Sequence, residues 1–337
     1  MRTLLVASTG GHLMELHRLQ ARLVPASDSV LWVTAENAQS RALLAGQDVV
    51  MLPPVNPRGY SALAKTLGPA RRVLRESGAH RVVSTGAAVA LAFLPSAHRA
   101  GLSCHYIESA ARTDGPSTTG RLLRGTRSCT LYAQHQAWAR GSWHFRGSVF
   151  DGFEPVHVTD PRPVRRVLVS LGTSPYPFVR LVRRLAEVLP PQVEVVWQVG
   201  STPVGRLSGR VVTTMGHDDL VAEMHAADVV VSHAGVGSAL TAMAMGRAPV
   251  LVPRRVGARE HVDEHQLQIA RVLAGRGLAV AAGADELSFA HLQRAALVAT
   301  RCIDNPRSFP LAEAPRRSPR GSSRTQALLD VPPDERT

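Results

Sequence analysis

The stretch Val229–Gln266, VVVSHAGVGSALTAMAMGRAPVLVPRRVGAREHVDEHQ, reads as strand, glycine turn, helix, strand, polar loop and helix start. Val229–Ser232 is a short apolar run, suited to a strand buried on both faces. His233-Ala234-Gly235-Val236-Gly237-Ser238 comes next, and its small residues let the backbone turn and approach a ligand closely. Ala239–Met245 is helix-prone, and Gly246 ends it. Such a turn gathers free N–H groups and the positive end of a helix at one point, which suits an anion. Pro249–Pro253 is the next strand. Glu260, His261, Asp263, Glu264, His265 and Gln266 then crowd together ahead of an amphipathic helix, Leu267–Leu273. Hydrogen-bonding side chains at that density suit a polyol. Phosphate at one point with hydroxyls nearby describes a nucleotide sugar. Each part alone has a plainer reading. Strand–glycine–helix turns also serve packing, the dinucleotide fingerprint G-x-G-x-x-G is not met, and acidic residues at a helix start favour its dipole.

The same device recurs along the chain. Arg2–Ala7 is a strand that runs into Ser8-Thr9-Gly10-Gly11-His12, with a helix from Leu13 to Leu23. His12 lands at the mouth of a sheet, where open α/β folds bind ligands; alone, it reads equally well as a helix cap. Arg81–Ser84 ends at Thr85-Gly86-Ala87 before a helix over Ala87–Ala100. Arg165–Leu171 ends at Gly172-Thr173-Ser174 before a helix over Phe178–Leu189. Further strands are expected at Ser29–Ala35, Asp48–Leu52, Cys104–Glu108, Cys129–Gln134, Val193–Val199, Val211–Thr214 and Leu278–Ala281. Helices are expected at Asp218–Ala227 and, unbroken, at Asp285–Cys302. Ser61–Ser77 reads as a basic amphipathic helix interrupted near Gly68-Pro69. Its Leu63, Leu67, Val73 and Leu74 suit a core, and its Lys65, Arg71, Arg72 and Arg75 suit water or anionic lipid.

Strands alternating with helices predict an α/β protein with parallel sheets. Its 337 residues suit two domains. The expected division is 1–155, a proline-marked linker at 156–164, a second domain at 165–303, and a disordered tail at 304–337, where periodicity stops. Cys104, Cys129 and Cys302 give neither a disulfide framework nor a metal pattern. No apolar run is long enough to span a bilayer, and Met1–Val6 is too short for a signal peptide, so a cytoplasmic protein is expected. The net charge of +13 is almost wholly arginine, since Lys65 is the only lysine. Basic residues are not interleaved with aromatics, which make up 4% of the chain, so a diphosphate or an anionic membrane surface is a better partner than nucleic acid.

SHAGVGSALTAMAMGRAPVLVPRR and EHVDEHQLQIA together resemble the donor domain of inverting glycosyltransferases with the GT-B fold. In that fold two Rossmann-like parallel-sheet domains face each other across a cleft. The likeness is to the glycosyltransferase 28 family, which includes the N-acetylglucosaminyltransferases acting on lipid II and dolichol diphosphate. It is nearest in feel to the fused bacterial exopolysaccharide and capsule enzymes. STGGHLMEL and VVSTGAAVALAFLP resemble motifs of the acceptor domain, and VLVSLGTSPYPF resembles the start of the donor domain.

The resemblance implies transfer from a nucleotide sugar, expected to be a UDP-sugar, to a saccharide on a polyprenyl diphosphate. It implies a peripheral visit to the inner membrane leaflet, and neither cofactor nor metal. His12 is the first candidate for the base that takes the acceptor proton, and Glu108 the second; Glu108 reads equally as a strand-end carboxylate paired with arginine. Gly172, Thr173, Ser174, His233, Gly235, Gly237 and Ser238 are expected at the donor phosphates. Glu264, His265 and Gln266 are expected at the sugar. Gly10, Gly11, Thr85, Gly86 and Arg112 are expected at the acceptor, although the Arg112–Arg127 segment reads equally as a solvated loop. Thr241 stands where the family's N-acetylglucosaminyltransferases hold the ribose with a glutamate, and a hydroxyl grips it more weakly. Three other functions fit the same sequence: a nucleotide-sugar 2-epimerase, a transferase acting on a soluble natural product, and a donor-binding subunit without catalysis of its own.

Overall fold

The computed structural model describes residues 1–53, 60–160, 163–260 and 264–312. The N-terminal half begins with β1 (Arg2–Ala7), α1 (Gly11–Leu23), β2 (Ser29–Ala35), α2 (Ala38–Leu43), β3 (Val49–Leu52) and α3 (Tyr60–Glu76). It continues with β4 (Arg81–Gly86), α4 (Val89–Arg99), β5 (Ser103–Ile107), α5 (Thr118–Thr126), β6 (Thr130–Ala133), β7 (Trp143–Phe145) and β8 (Phe153–His157). The C-terminal half runs β9 (Arg166–Ser170), α6 (Val179–Val188), β10 (Glu194–Gln198), β11 (Arg210–Val212), α7 (His217–Ala226), β12 (Val229–Ser232) and α8 (Val236–Ala244). It ends with β13 (Val250–Leu251), α9 (His265–Gly275), β14 (Val280–Ala281), α10 (Phe289–Ala296) and β15 (Val298–Cys302).

The first sheet has the order β3-β2-β1-β4-β5-β6-β7 and the second β11-β10-β9-β12-β13-β14; every pairing in both is parallel. Buried aliphatic runs supply the strands. Leu4, Leu5 and Val6 in β1 and Val229–Val231 in β12 are almost wholly enclosed, as strands covered on both faces require. In each half the strand order reverses between the first and fourth strands. At such a switch point the loops leaving the carboxyl ends part and leave a crevice. The two-domain α/β architecture expected from the sequence is therefore present.

One apolar cluster crosses the domain boundary, joining Leu13 and Leu16 of α1 to Val236 and Leu240 of α8. The two switch points are thus held face to face. Three local expectations need correction. The helix expected over Asp285–Cys302 stops at Ala296, and β-branched Val298 and Thr300 lie in a strand antiparallel to β8. The linker expected from residue 156 begins inside that ribbon. Pro69 does not interrupt α3, which is continuous, with Val73 and Leu74 inward and Lys65, Arg71, Arg72 and Arg75 exposed.

The tail is the fourth correction. Residues 304–312 return to the N-terminal half. Ile303 N–H donates to Gly152 O at 2.9 Å and Phe309 N–H to Arg22 O at 3.0 Å. Arg22 Nε donates to Arg307 O at 2.7 Å, and the Ala312 N–H donates to Tyr132 Oη at 2.7 Å. Phe309 is fully buried beside Tyr132. Residues 313–337 lie outside the described residues.

Candidate active site

A cleft of about 550 Å³ opens where the two switch points meet. From the N-terminal half it is lined by Thr9, Gly10 and Gly11 after β1 and by Asn37, Ala38 and Gln39 at the start of α2. From the other half come Gly172, Thr173 and Ser174 after β9, and His233, Gly235, Gly237, Ser238 and Thr241 after β12. Among its described lining residues there is no aspartate or glutamate.

Two helices begin at this cleft. α1 starts after Gly10 and α8 after Gly235, and neither has a side-chain cap. The first N–H groups of a helix have no intrahelical acceptor, so both helices present donors and positive dipole ends to one space. The glycines permit this closeness. A Cβ on Gly235 would stand 2.5 Å from His233 Nε2, and one on Gly172 would stand 2.5 Å from His233 Cε1. Gly172 also has φ +71°, a left-handed conformation that side chains disfavour. The His233 ring is therefore wedged between the turns at Gly172 and Gly235, with Nδ1 at 3.4 Å from Ser170 O. Ala234 beside it is held at φ 58°, a strained value of the kind found at ligand sites.

Two of the glycine turns, at Gly10 and Gly172, are each gripped by a glutamine that the sequence reading did not single out. Gln39 accepts the Gly10 N–H through Oε1 at 2.6 Å and donates to Gly10 O at 3.3 Å. Gln198, at the end of β10, accepts from Gly172 N–H at 3.1 Å and Ser170 Oγ at 2.9 Å. Its amide donates to Gly172 O at 2.9 Å and Thr213 O at 3.2 Å. A polar residue ending an apolar strand, VEVVWQ, was the available signal for Gln198.

His12 is the second residue of α1 and stands beside the cleft rather than on its lining. Its Nδ1 is 2.8 Å from Thr85 O. A carbonyl only accepts, so Nδ1 carries the proton, and neutral His12 keeps a lone pair on Nε2. Burial pushes its pKa below the usual value, against the bond to Thr85, and the nearby Arg112 charge lowers it further. Thr85 Oγ1 in turn donates to His12 O at 2.8 Å. A Cβ on Gly86 would stand 3.4 Å from the ring. Thr85 and Gly86 therefore form the seat of His12, and Arg112 is its charged neighbour.

Glu108 has a different place. It is 1% exposed and accepts from Tyr106 Oη at 3.0 Å, Ser109 N–H at 3.2 Å, and Ser117 N–H and Oγ at 2.8 and 3.0 Å. Ser117 caps α5, so Glu108 fastens that helix start and has no free lone pair directed at the cleft. Glu108, the second candidate base, is thus a structural carboxylate with both oxygens occupied. Its neighbour Glu15, missed in the sequence, is fully buried and accepts from Ser109 Oγ, Ala110 N–H and Gln134 Nε2 at 2.6, 2.9 and 2.9 Å. Burial raises its pKa to about 7. A carboxylate inside the apolar stripe Leu13, Met14, Leu16, Leu19 was the signal.

The sugar candidates are not brought to the cleft lining. Gln266 is buried, with Oε1 accepting the Arg254 N–H at 3.0 Å. His265 Nδ1 lies 3.4 Å from Gln268 Oε1. Glu264 is exposed and borders a separate cavity of about 780 Å³ with Arg254, Arg255 and Arg271. His261 and Asp263 lie outside the described residues. Thr241 does reach the cleft; its hydroxyl donates to Gly237 O at 2.9 Å, leaving it an acceptor towards a ligand hydroxyl.

Residues 166–294 match the model of the glycosyltransferase family 28 C-terminal domain. A curated relative, the UDP-N-acetylglucosamine transferase subunit ALG13 of Yarrowia lipolytica, is 41% identical over 73 residues, which cover 21% of this chain and 35% of that protein. The match thus spans about a third of that relative's length. The fold is similar to the solved glycotransferase of kitacinnamycin, with a TM-score of 0.56, 16% identity and coverage of 88% and 89% of the two chains. It is similar to MurG of Acinetobacter baumannii, with a TM-score of 0.53, 18% identity and coverage of 87% and 89%. It is also similar to S. aureus MnaA solved with UDP, with a TM-score of 0.55, 10% identity and coverage of 88% and 91%. At these identities the solved structures establish the GT-B fold of two Rossmann-like domains.

Proposed function

We propose that this chain, whose C-terminal half is a glycosyltransferase family 28 C-terminal domain set in a GT-B fold, is an inverting glycosyltransferase. It moves a sugar from a UDP-sugar to a saccharide carried on a polyprenyl diphosphate, in cell-surface polysaccharide synthesis. The observation that carries the reading is the meeting of two uncapped helix starts, α1 and α8, at one cleft without carboxylates. Such a place suits a nucleoside diphosphate and its departure.

In this reading the diphosphate lies against the N–H groups of Thr173 and Ser174 and the start of α8. An acceptor hydroxyl oxygen attacks the anomeric carbon from the far side, and the bond to the diphosphate breaks. Neutral His12 takes the hydroxyl proton on Nε2, and inversion follows from the single displacement. Charge on the leaving group is met by helix ends and backbone donors, so no metal is called for. Arg112, close to His12, suits the acceptor's diphosphate.

A lipid-linked acceptor is supported by the exposed arginines of α3 and by Arg121, Leu122 and Arg124 of α5, a basic surface that suits an anionic leaflet. Among the described residues no helix is long and apolar enough to cross a membrane. The 2-epimerase reading calls for a carboxylate set in the cleft, and the lining supplies none.

The test is a calorimetric screen of the chain against UDP-, GDP- and dTDP-sugars, with NAD as control and without metal. Ligand at 100 times its dissociation constant should stabilise by about 2.7 kcal/mol. Selective stabilisation by a UDP-sugar, followed by transfer to a polyprenyl-diphosphate saccharide in anionic vesicles, is the expected result. No response to any nucleotide sugar in the folded protein overturns the reading. Transfer to soluble acceptors without any effect of lipid replaces the lipid-linked acceptor with a soluble one.

A further inference from the structure

Arg254 follows β13 and is 2% exposed. Its Nη2 donates to Leu171 O at 2.8 Å, and its Nη1 donates to Tyr176 O. These two carbonyls bracket the turn Gly172-Thr173-Ser174. The guanidinium carbon stands 5.1 Å from the centre of the Phe178 ring, just before α6. The Arg254 N–H is the donor held by Gln266. One residue thus joins the phosphate turn, the approach to α6 and the start of α9.

Among the described residues, no carboxylate oxygen pairs directly with its guanidinium. The nearby Glu260 is committed to Arg180, at 2.8 and 3.2 Å, and to the Arg255 N–H at 3.0 Å. Among the described residues no ion pair to Arg254 forms, and its contacts are neutral carbonyls and a ring. A buried cation ordinarily has a carboxylate partner. Burial lowers the Arg254 pKa to about 10 while Glu260 raises it, so the group remains charged at neutral pH.

The bonds also set the peptide planes of the turn. C=O and N–H of one trans peptide point in opposite directions. Gly172 O is turned to Gln198 and Leu171 O to Arg254. The Thr173 N–H, on the other side of that peptide, is therefore turned away from Gln198.

We propose that Arg254 is a positioning residue for the diphosphate: it fixes the Gly172–Ser174 turn from behind, and the bound nucleoside diphosphate supplies the negative charge that its guanidinium lacks. The proposal rests on the UDP-sugar reading of the cleft. It assigns Arg254 an effect on phosphate and none on the nucleoside.

Calorimetric titration of the full chain with UDP, UMP and uridine separates the two. Arg254→Gln keeps a donor and loses the charge; Arg254→Lys keeps the charge and loses the planar fork. Arg254→Gln should weaken UDP by about tenfold or more, UMP by less, and uridine by under about twofold. Arg254→Lys should weaken UDP by an amount between the parent protein and Arg254→Gln, and uridine by under about twofold, because it keeps the charge but cannot hold both carbonyls. Equal loss for UDP and uridine in Arg254→Gln, or no loss of UDP, overturns the proposal. If one variant does not fold, the other decides alone by the same criterion. If neither folds, Arg254 serves the whole domain and the assignment to the turn falls. A parent protein that binds uridine but not UDP overturns the diphosphate site itself, and this proposal with it.

Discussion

Gly11 and Gly237 meet across the domain boundary: a Cβ added to Gly11 would stand 3.6 Å from Gly237 N, and one added to Gly237 would stand 3.3 Å from Gly11 Cα. Each is within the first turn of its helix. The two glycines therefore let two positive helix ends approach more closely than side chains would permit. Like dipole ends repel, and the apolar packing of Leu13 and Leu16 on Val236 and Leu240 opposes that repulsion. A bound anion would remove it. Hydrophobic contact thus holds the cleft in an electrostatically unfavourable arrangement.

Gly237→Ala separates stability from this closeness. Alanine is the better helix former by up to about 1 kcal/mol, and φ at this position is not left-handed. Its methyl group would press on Gly11 by a few tenths of an ångström. Scanning calorimetry should show a melting temperature equal to or above that of the parent protein. UDP titration should show about tenfold weaker binding, because small misplacements at a site are costly. Unchanged affinity would show that the approach of the two glycines has no part in binding.

As the proposed base, His12 should set the shape of the pH profile. Its pKa is lowered by burial, so the neutral form that accepts a proton persists below pH 6.5. Transfer should stay level through neutral pH and fall only below the usual histidine range. His12→Ala should reduce turnover by about 10²–10⁴-fold with UDP affinity unchanged. A profile that falls already at pH 7, or a His12→Ala protein of full activity, removes His12 as the base.

Glu15 gives a stability signature that is independent of activity. Its folded pKa is raised to about 7 by burial, so the folded state holds a proton that the unfolded chain has released above pH 4.5. The stability it contributes is full below pH 4.5 and is lost as pH rises through 7. Glu15→Gln removes this dependence. Relative to the parent protein, the variant should gain on the order of 1–3 kcal/mol between pH 5 and pH 7.5 in urea unfolding. His105 acts in the opposite sense. It is buried beside Ser103 and Tyr132, with its pKa lowered to about 4, so its contribution is lost as pH falls from 6.5 to 4. A difference between the Glu15→Gln and parent proteins that is flat with pH would show that Glu15 is ionised throughout.

The glycine turns were legible because a turn between strand and helix is a local event. Gly10, Gly172 and Gly235 lie within a few residues of the strands and helices that explain them, and periodicity locates both. The parallel sheets followed from the same alternation. What stayed hidden was long-range. Gln39 and Gln198 matter through the peptides they grip, 29 and 26 residues away, and nothing in their own segments shows a partner. Glu108 looked free at the end of a strand because Ser117, which consumes its oxygens, belongs to the next helix. Gln266 looked directed at a ligand because its acceptor role towards Arg254 depends on how α9 sits against β13. The β8–β15 ribbon joins the end of the N-terminal half to the end of the C-terminal half, so Val298–Cys302 reads as a helix extension in sequence alone.

Phe309 tests the most distant of these relationships. The segment around it has no period, and proline, serine and arginine dominate it, so it reads as an unstructured tail. Yet Phe309 is fully buried against Tyr132 in an edge-to-face arrangement with centroids 5.6 Å apart. The chain is fixed on either side by Arg307 O and the Ala312 N–H. A single buried aromatic between two hydrogen-bonded anchors suffices to order a strap, because the cost of fixing about nine backbones is shared with groups of the N-terminal domain that need partners. Arg22, 7% exposed, is one such group. Phe309→Ala should therefore lower the unfolding free energy of the N-terminal domain by about 3–5 kcal/mol, as for other buried aromatics. Phe309→Leu should recover most of it. Urea unfolding followed by tryptophan fluorescence, with Trp32, Trp138 and Trp143 in that domain, reads the change directly. A loss under about 1 kcal/mol, within the range of surface substitutions, would mean that residues 304–312 rest on the domain without contributing to it.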